Sequence, residues 1–187
     1  MIRYGMTRSW VTGMKVVTGR GDLLDLNRGL TKNATGYDFR HLFIGSEGTL
    51  GIIVELTMAL SVPSQDPAVL IMGVEDMTKT MPVLEAFQNK VSLTAFEFFS
   101  EQALRHVIAE KKLARPIETA SNFYVLLEYE QRGKEDLEDA MVLFEHCLEQ
   151  GWVVDGTMSL SLTQAESLWR LREDCLLYTS PSPRDLS

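Results

Sequence analysis

Between residues 68 and 150 the apolar residues alternate between short, dense runs typical of strands and the three- and four-residue spacing of amphipathic helices. This alternation constrains the fold more than any other feature. It predicts strands over 68–74, 93–99 and 122–129, and helices over 78–89, 101–113 and 134–150, the last with Leu137, Met141, Phe144 and Leu148 on one face. Residues 163–174 also have helical composition, and Thr163 followed three residues later by Glu166 fits a capping box. A β-α-β-α-β-α order of this kind predicts helices layered on one side of a sheet, in a ferredoxin-like α+β arrangement.

Upstream, the pattern is different. Residues 11–18 and 23–27 read as strands joined by an Arg20-Gly21-Asp22 turn, giving a hairpin on an antiparallel or mixed sheet. A polar loop with glycine, Thr31 to Asp38, leads into His41-Leu42-Phe43, then Gly45-Ser46-Glu47-Gly48-Thr49-Leu50-Gly51 and a strand over 52–60. The Val62-Pro63-Ser64-Gln65-Asp66-Pro67 stretch holds two prolines and reads as a linker. The expected organisation is therefore a first domain over 1–62 and a second over 63–174.

Several functional classes fall away on composition. A net charge of −8 leaves no clustered Lys and Arg for phosphate backbones, so no nucleic-acid partner is expected. No run of about 18 apolar residues exists to span a bilayer, and the first ten residues lack the apolar stretch of a secretory signal. Cys147 and Cys175 form no disulfide framework and fit a reducing compartment; Cys147 reads as an apolar helix residue. His41, His106 and His146 lack ligand spacing, so no metal site is expected. The expected location is the cytoplasm, free or peripheral to the inner membrane. The tail from Cys175 to Ser187 breaks the helical pattern and resembles an in-frame translation of a transposase adaptor from sequencing libraries. The native sequence is expected to stop at Asp174, leaving Cys175 without biological meaning.

The segment Leu42 to Ile53 sets small residues and hydroxyls between apolar flanks, which suits a ligand lying against exposed backbone groups. A tight β-turn whose glycines supply positive φ explains the same pattern. It matches neither the P-loop nor the G-x-G-x-x-G dinucleotide fingerprint, so a nucleotide of those types is disfavoured. Taken in series, Arg3-Tyr4-Gly5, Lys32-Asn33-Ala34-Thr35-Gly36-Tyr37-Asp38 and Leu42-Phe43-Ile44-Gly45-Ser46-Glu47-Gly48-Thr49-Leu50-Gly51-Ile52-Ile53 resemble the second half of the FAD-binding domain of the vanillyl-alcohol oxidase/p-cresol methylhydroxylase flavoproteins. They look most like the branch of glycolate oxidase, D-lactate dehydrogenase and D-2-hydroxyglutarate dehydrogenase. The resemblance runs from about Met1 to Asp174, and implies the C-terminal part of an FAD-binding domain followed by part of a ferredoxin-like substrate (cap) domain.

That resemblance implies FAD contacts at Gly45, Ser46, Glu47, Gly48, Gly51, Ile52 and Ile53. Glu47 reads alternatively as a carboxylate that braces its loop, and Asn33, Thr35 and Tyr37 as loop-holding residues rather than site lining. It also implies that Arg172, in Trp169-Arg170-Leu171-Arg172-Glu173, clamps a substrate carboxylate, work suited to a planar guanidinium that stays charged. The alternative for Arg172 is an ion pair with Glu173 or Glu166 on a solvated face. Phe96, Phe98 and Phe99 read as a packed strand.

The implied activity is oxidation of a small D-2-hydroxy acid to the 2-oxo acid by FAD. Electrons would pass on to a quinone, an electron-transfer flavoprotein or an iron–sulfur subunit. A sugar or alcohol oxidase of the same fold and a non-catalytic flavin-binding subunit are the alternatives. The family's Pro/Gly-rich pyrophosphate loop and its Gly-His-x-Gly-Asp-Gly-Asn segment are not found in these residues. The polypeptide alone is therefore expected to bind FAD poorly and not to turn over.

Overall fold

The computed structural model of the chain describes residues 2–26, 36–62 and 66–175. The chain divides into a smaller unit, Tyr4–Pro63, and a larger one, Met1–Arg3 with Ser64–Ser187. Residues 31–35 of the expected loop and 176–187 of the expected non-native tail lie outside the described residues.

In the smaller unit, β1 (Val11–Thr18) turns through Arg20-Gly21 into β2 (Leu23–Leu26), closed by hydrogen bonds from Thr18 N to Asp22 O and from Gly21 N to Thr18 O. A single-turn helix, α1 (Arg40–Phe43), precedes β3 (Gly51–Met58), and the sheet order is β2-β1-β3, antiparallel throughout. Its core is small: Val11, Met14 and Val16 are buried, with Leu26, Phe43 and Ile44 packed against them. β3 by contrast is open on both faces, with Ile52 and Val54 exposed on one and Ile53 on the other.

The larger unit runs β4 (Pro67–Val74), α2 (Thr80–Gln88), β5 (Leu93–Ser100), α3 (Glu101–Lys111), β6 (Phe123–Glu130), α4 (Lys134–Glu149), β7 (Asp155–Met158) and α5 (Leu162–Glu173). The sheet order is β5-β6-β4-β7 with every neighbouring pair antiparallel. β4 and β5 therefore run in the same direction with β6 between them, which is the split βαβ order of the ferredoxin-like fold. α3 is an addition between β5 and β6.

The helices do not lie on one side, as the alternation alone predicted. Leu70, Met72, Val125 and Leu127 form one core with Val83 and Phe87 of α2 and Ala140 and Cys147 of α4; Val69, Ile71, Tyr124 and Leu126 form a second with Leu104 and Val107 of α3 and Leu168 and Leu171 of α5. The reason lies in the central strands. Ala68-Val69-Leu70-Ile71-Met72 and Tyr124-Val125-Leu126-Leu127 are continuous apolar runs, and a strand apolar on both faces needs cover on both. Cys147 sits wholly inside the first core, where burial pushes its thiol up to about 11.

Two local expectations are corrected. β7 had no strand signature, because Asp155-Gly156-Thr157-Met158 lacks β-branched or aromatic weight beyond Thr157; the open edge of β4 supplies its conformation. α5 is capped at Ser161 rather than Thr163. Ser161 Oγ accepts from Gln164 N at 3.2 Å, and Gln164 Oε1 accepts from Leu160 N at 2.8 Å.

Candidate cofactor and substrate sites

The loop from Gly45 to Gly51 is built by backbone turns. Ser46 N donates to Phe43 O at 3.1 Å, and Ser46 O accepts from both Thr49 N at 3.0 Å and Thr49 Oγ1 at 2.6 Å. Gly45 and Gly48 have φ of +83° and +79°, and Glu47 between them has +51°. That conformation disfavours an L side chain by roughly 1–2 kcal/mol. Among the described residues the Glu47 carboxylate makes no hydrogen bond or ion pair, so nothing there supports a loop-bracing role. A Cβ at Gly45 or Gly48 would meet no atom within 4 Å, so both turns border open space.

Gly51 answers to a different demand. A Cβ there would lie 2.7 Å from Val17 O and 2.8 Å from Val16 Cγ1, so the glycine lets β3 close against β1. Ile52 and Ile53, 67% and 39% exposed, follow on the strand. Among the described residues β3 has a strand neighbour on one side only, which leaves alternate N–H and C=O groups without a ladder partner beside exposed apolar side chains. A flat cofactor with an apolar face and a polar edge fits such a surface. Asp38 and Arg40, which the motif reading did not single out, hold the loop's entrance: Arg40 Nε donates to Asp38 Oδ1 at 2.8 Å and Arg40 Nη1 to Val11 O at 2.6 Å. That hydrogen bonding holds the Asp38 carboxyl below its usual range. Tyr37 is exposed and meets Phe39 edge-on, and Asn33 and Thr35 lie outside the described residues.

Arg172 belongs to the larger unit, in the last turn of α5, with its side chain 21% exposed. It pairs with neither Glu166 nor Glu173. Instead Arg172 Nη2 donates to Glu97 Oε2 on β5 at 3.1 Å, while its Nε is buried with no hydrogen-bond partner. Arg170 is exposed and lies 3.6 Å from Asp174. One turn before Arg172, Trp169 Nε1 donates to Glu128 Oε2 at 2.7 Å, and Thr94 Oγ1 donates to Glu128 Oε1 at 2.6 Å. Two strand carboxylates thus tie α5 to the β5 and β6 edge. Sequence reasoning passed over both, although an acidic residue inside Phe96-Glu97-Phe98 or Leu127-Glu128-Tyr129 was a signal that something must pair with it.

A second polar cluster is fully satisfied. Glu101 Oε2 accepts from Arg115 Nη2 and Tyr124 Oη, both at 2.6 Å, and its Oε1 accepts from Arg105 Nε at 2.6 Å. Burial opposes the Glu101 charge, but the three donors prevail and hold its carboxyl at about 2. With both carboxylate oxygens engaged, this cluster fastens the start of α3 to β6. A cleft of about 540 Å³ opens beside the first turn of α4, lined among others by Arg132, Lys134, Leu137 and Leu160; none of the expected site residues faces it, and its breadth alone indicates no chemistry. Among the described residues, no group of three His, Cys, Asp or Glu is placed to hold a metal, and no helix is long and apolar enough to cross a membrane.

The family profile described as FAD linked oxidases, C-terminal domain, matches residues 64–181. The D-2-hydroxyglutarate dehydrogenase of Stutzerimonas stutzeri (strain A1501) is 54% identical over an alignment covering 100% of this chain and 41% of the relative. That of Xanthomonas citri pv. viticola is 47% identical, covering 100% and 40%. The mitochondrial D-2-hydroxyglutarate dehydrogenase of Arabidopsis thaliana is 35% identical over 92% of this chain and 32% of its own length. The chain spans about two fifths of the length of the two bacterial relatives. Among solved structures, an alkyldihydroxyacetonephosphate synthase shares the fold with a TM-score of 0.57 and 20% identity, covering 94% of this chain and 34% of that one. So does p-cresol methylhydroxylase with substrate bound, with a TM-score of 0.57 and 12% identity over 88% and 37%.

Proposed function

The chain belongs to the FAD linked oxidases, through their C-terminal domain, and from that premise we propose that it forms part of a flavoenzyme that oxidises D-2-hydroxyglutarate to the 2-oxo acid. The observation that carries the substrate half is Arg172: a guanidinium about four-fifths buried, with an Nε that no described residue satisfies. That guanidinium makes one hydrogen bond among the described residues and keeps about a fifth of its side chain open, so donors remain for a substrate carboxylate. The choice of acid rests on the names of the relatives at 54% and 47% identity.

Gly45, Ser46, Glu47, Gly48, Gly51, Ile52 and Ile53 are the residues that would hold FAD, along the open turn and the unpaired side of β3. Bound FAD supplies the two-electron acceptor for oxidation of the hydroxyl-bearing carbon. The role of Arg172 is to bind and orient: it anchors one carboxylate and so restricts which face of that carbon is presented. Gly51 contributes through its backbone, since the space at its Cβ position is taken by β1.

Residues 1–62 are assigned to part of the FAD-binding domain and 63–174 to part of the substrate domain, a division that the break between compact units after Pro63 supports. Residues 175–187 are read as non-native. The acceptor for the electrons is a quinone, an electron-transfer flavoprotein or an iron–sulfur subunit, and the enzyme is placed in the cytoplasm, free or peripheral to the inner membrane.

The test is a chimera in which residues 2–174 replace their counterpart in the Stutzerimonas stutzeri dehydrogenase. Arg172→Ala is expected to raise KM for D-2-hydroxyglutarate roughly 10- to 100-fold, the factor expected from losing charge-assisted hydrogen bonding of about 1.5–3 kcal/mol. An unchanged KM would overturn the carboxylate-binding role.

A further inference from the structure

We propose that Glu97 is a positioning residue that holds the Arg172 guanidinium ready for a substrate carboxylate. This rests on the reading of Arg172 as the carboxylate-binding group.

The contact joins elements distant in sequence. Glu97 stands on β5, Arg172 lies 75 residues later in the last turn of α5, and Arg172 Nη2 meets Glu97 Oε2 at 3.1 Å. It differs from a solvated surface pair, which contributes little, because the arginine side chain is only 21% exposed and its Nε is shut off from solvent. Among the described residues Glu97 is the only group bonded to that guanidinium. An arginine without it would sample many rotamers, and a ligand would have to restrict them on binding. With it, one terminal nitrogen is fixed while Nε stays unsatisfied. The rest of α5 is held in the same manner, by Trp169 on Glu128, so the helix that carries Arg172 has little freedom to compensate for a lost Glu97.

A negative charge beside an anion-binding arginine also repels the anion. That opposing effect makes the inference testable through the sign of the response. Removing the carboxylate should tighten anion binding if Glu97 acts only by its charge, and should weaken it if Glu97 positions the guanidinium. Gln keeps an acceptor at the same reach and removes the charge, so Glu97→Gln and Glu97→Ala separate the two effects.

The experiment uses the chimera carrying residues 2–174, in which the rest of the substrate site is present, and follows the Arg172 Nε–H resonance by NMR, assigned by its disappearance in Arg172→Lys. We expect Glu97→Ala to speed Nε–H exchange at least tenfold and to weaken D-2-hydroxyglutarate binding about tenfold, while Glu97→Gln stays within twofold of the parent in exchange and binds as tightly or tighter. Should Glu97→Ala not fold, Glu97→Asp carries the test: its carboxylate is withdrawn by one methylene, and it is expected to show the same faster exchange. Unchanged exchange in Glu97→Ala, or tighter binding in both Ala and Gln variants, overturns the positioning role and leaves the reading of Arg172 intact. If saturating D-2-hydroxyglutarate leaves the parent's Arg172 resonance unmoved, the carboxylate-binding reading fails and takes this inference with it.

Discussion

Glu101→Gln removes one charge from a network whose other members are unchanged, and the structure specifies how its effect must vary with pH. The Glu101 carboxyl is held at about 2, against 4.5 for an ordinary glutamate, because hydrogen bonds from Arg115, Tyr124 and Arg105 overcome the cost of burying it. With the side chain only 16% exposed, that depression corresponds to roughly 3 kcal/mol of folding free energy. The folded-state value is depressed, so the contribution is fully present above pH 4.5 and is lost as pH falls through 2. Urea unfolding of the parent and of Glu101→Gln, in a Trp10→Phe background so that Trp152 and Trp169 report the larger unit, measures the difference directly. At pH 7 the parent should be more stable by about 3 kcal/mol; near pH 3 the gap should roughly halve, and near pH 2 it should fall to about 0.4 kcal/mol, because a protonated glutamate resembles glutamine. The other depressed carboxylates, Asp38, Asp76 and Asp155, are common to both proteins and cancel. A gap that stays constant from pH 7 to pH 3 would refute the account, since it would mean that the side chain acts through shape and not through charge.

A Cβ at Gly73 would collide with Ser121 Oγ and come within 3.0 Å of Ile117 Cδ1, so Gly73→Ala should cost about 2–3 kcal/mol in urea unfolding. Adding Ser121→Ala should recover most of that; Ser121→Ala alone should be neutral or stabilising, because Ser121 Oγ is buried without a partner. Trp169→Phe removes one of the two side-chain donors to Glu128 and should cost about 1–3 kcal/mol, read as a lowered Tm; an unchanged Tm would show that the 2.7 Å bond adds no stability.

Much of the larger unit was legible from periodicity, because its strands and helices follow one another with short connections and each keeps a clean apolar pattern. The same pattern misled where it concerned layers. Local spacing gives the type of an element but not which side of the sheet it covers, and the double-sided burial of β4 and β6 was written in their unbroken apolar runs rather than in any helix. β7 was invisible because its four residues take their conformation from a neighbour more than 80 residues away in sequence, Leu70 opposite Met158. The cap of α5 was misplaced by two residues because both Ser161 and Thr163 are competent capping residues, and the choice depended on where the preceding chain left β7.

In the candidate sites, motif and structure spoke to different parts. The turn glycines were picked out because glycine suits positive φ, whereas Arg172 was picked out by the resemblance of its segment to the flavoprotein family, a guanidinium being suited to a carboxylate. At Gly51 the structure adds a packing demand, because the space a Cβ would take is filled by the Val17 carbonyl and the Val16 side chain. Glu97 and Glu128 carried no motif at all. Sequence by itself determined most elements of the larger unit, the family and the charged groups available, since these depend on residue identity and on neighbours within a few positions. Only the tertiary structure decided which carboxylate meets Arg172 and which meets Trp169, because contacts between β5, β6 and α5 are set by sheet order and helix placement, which no local pattern encodes.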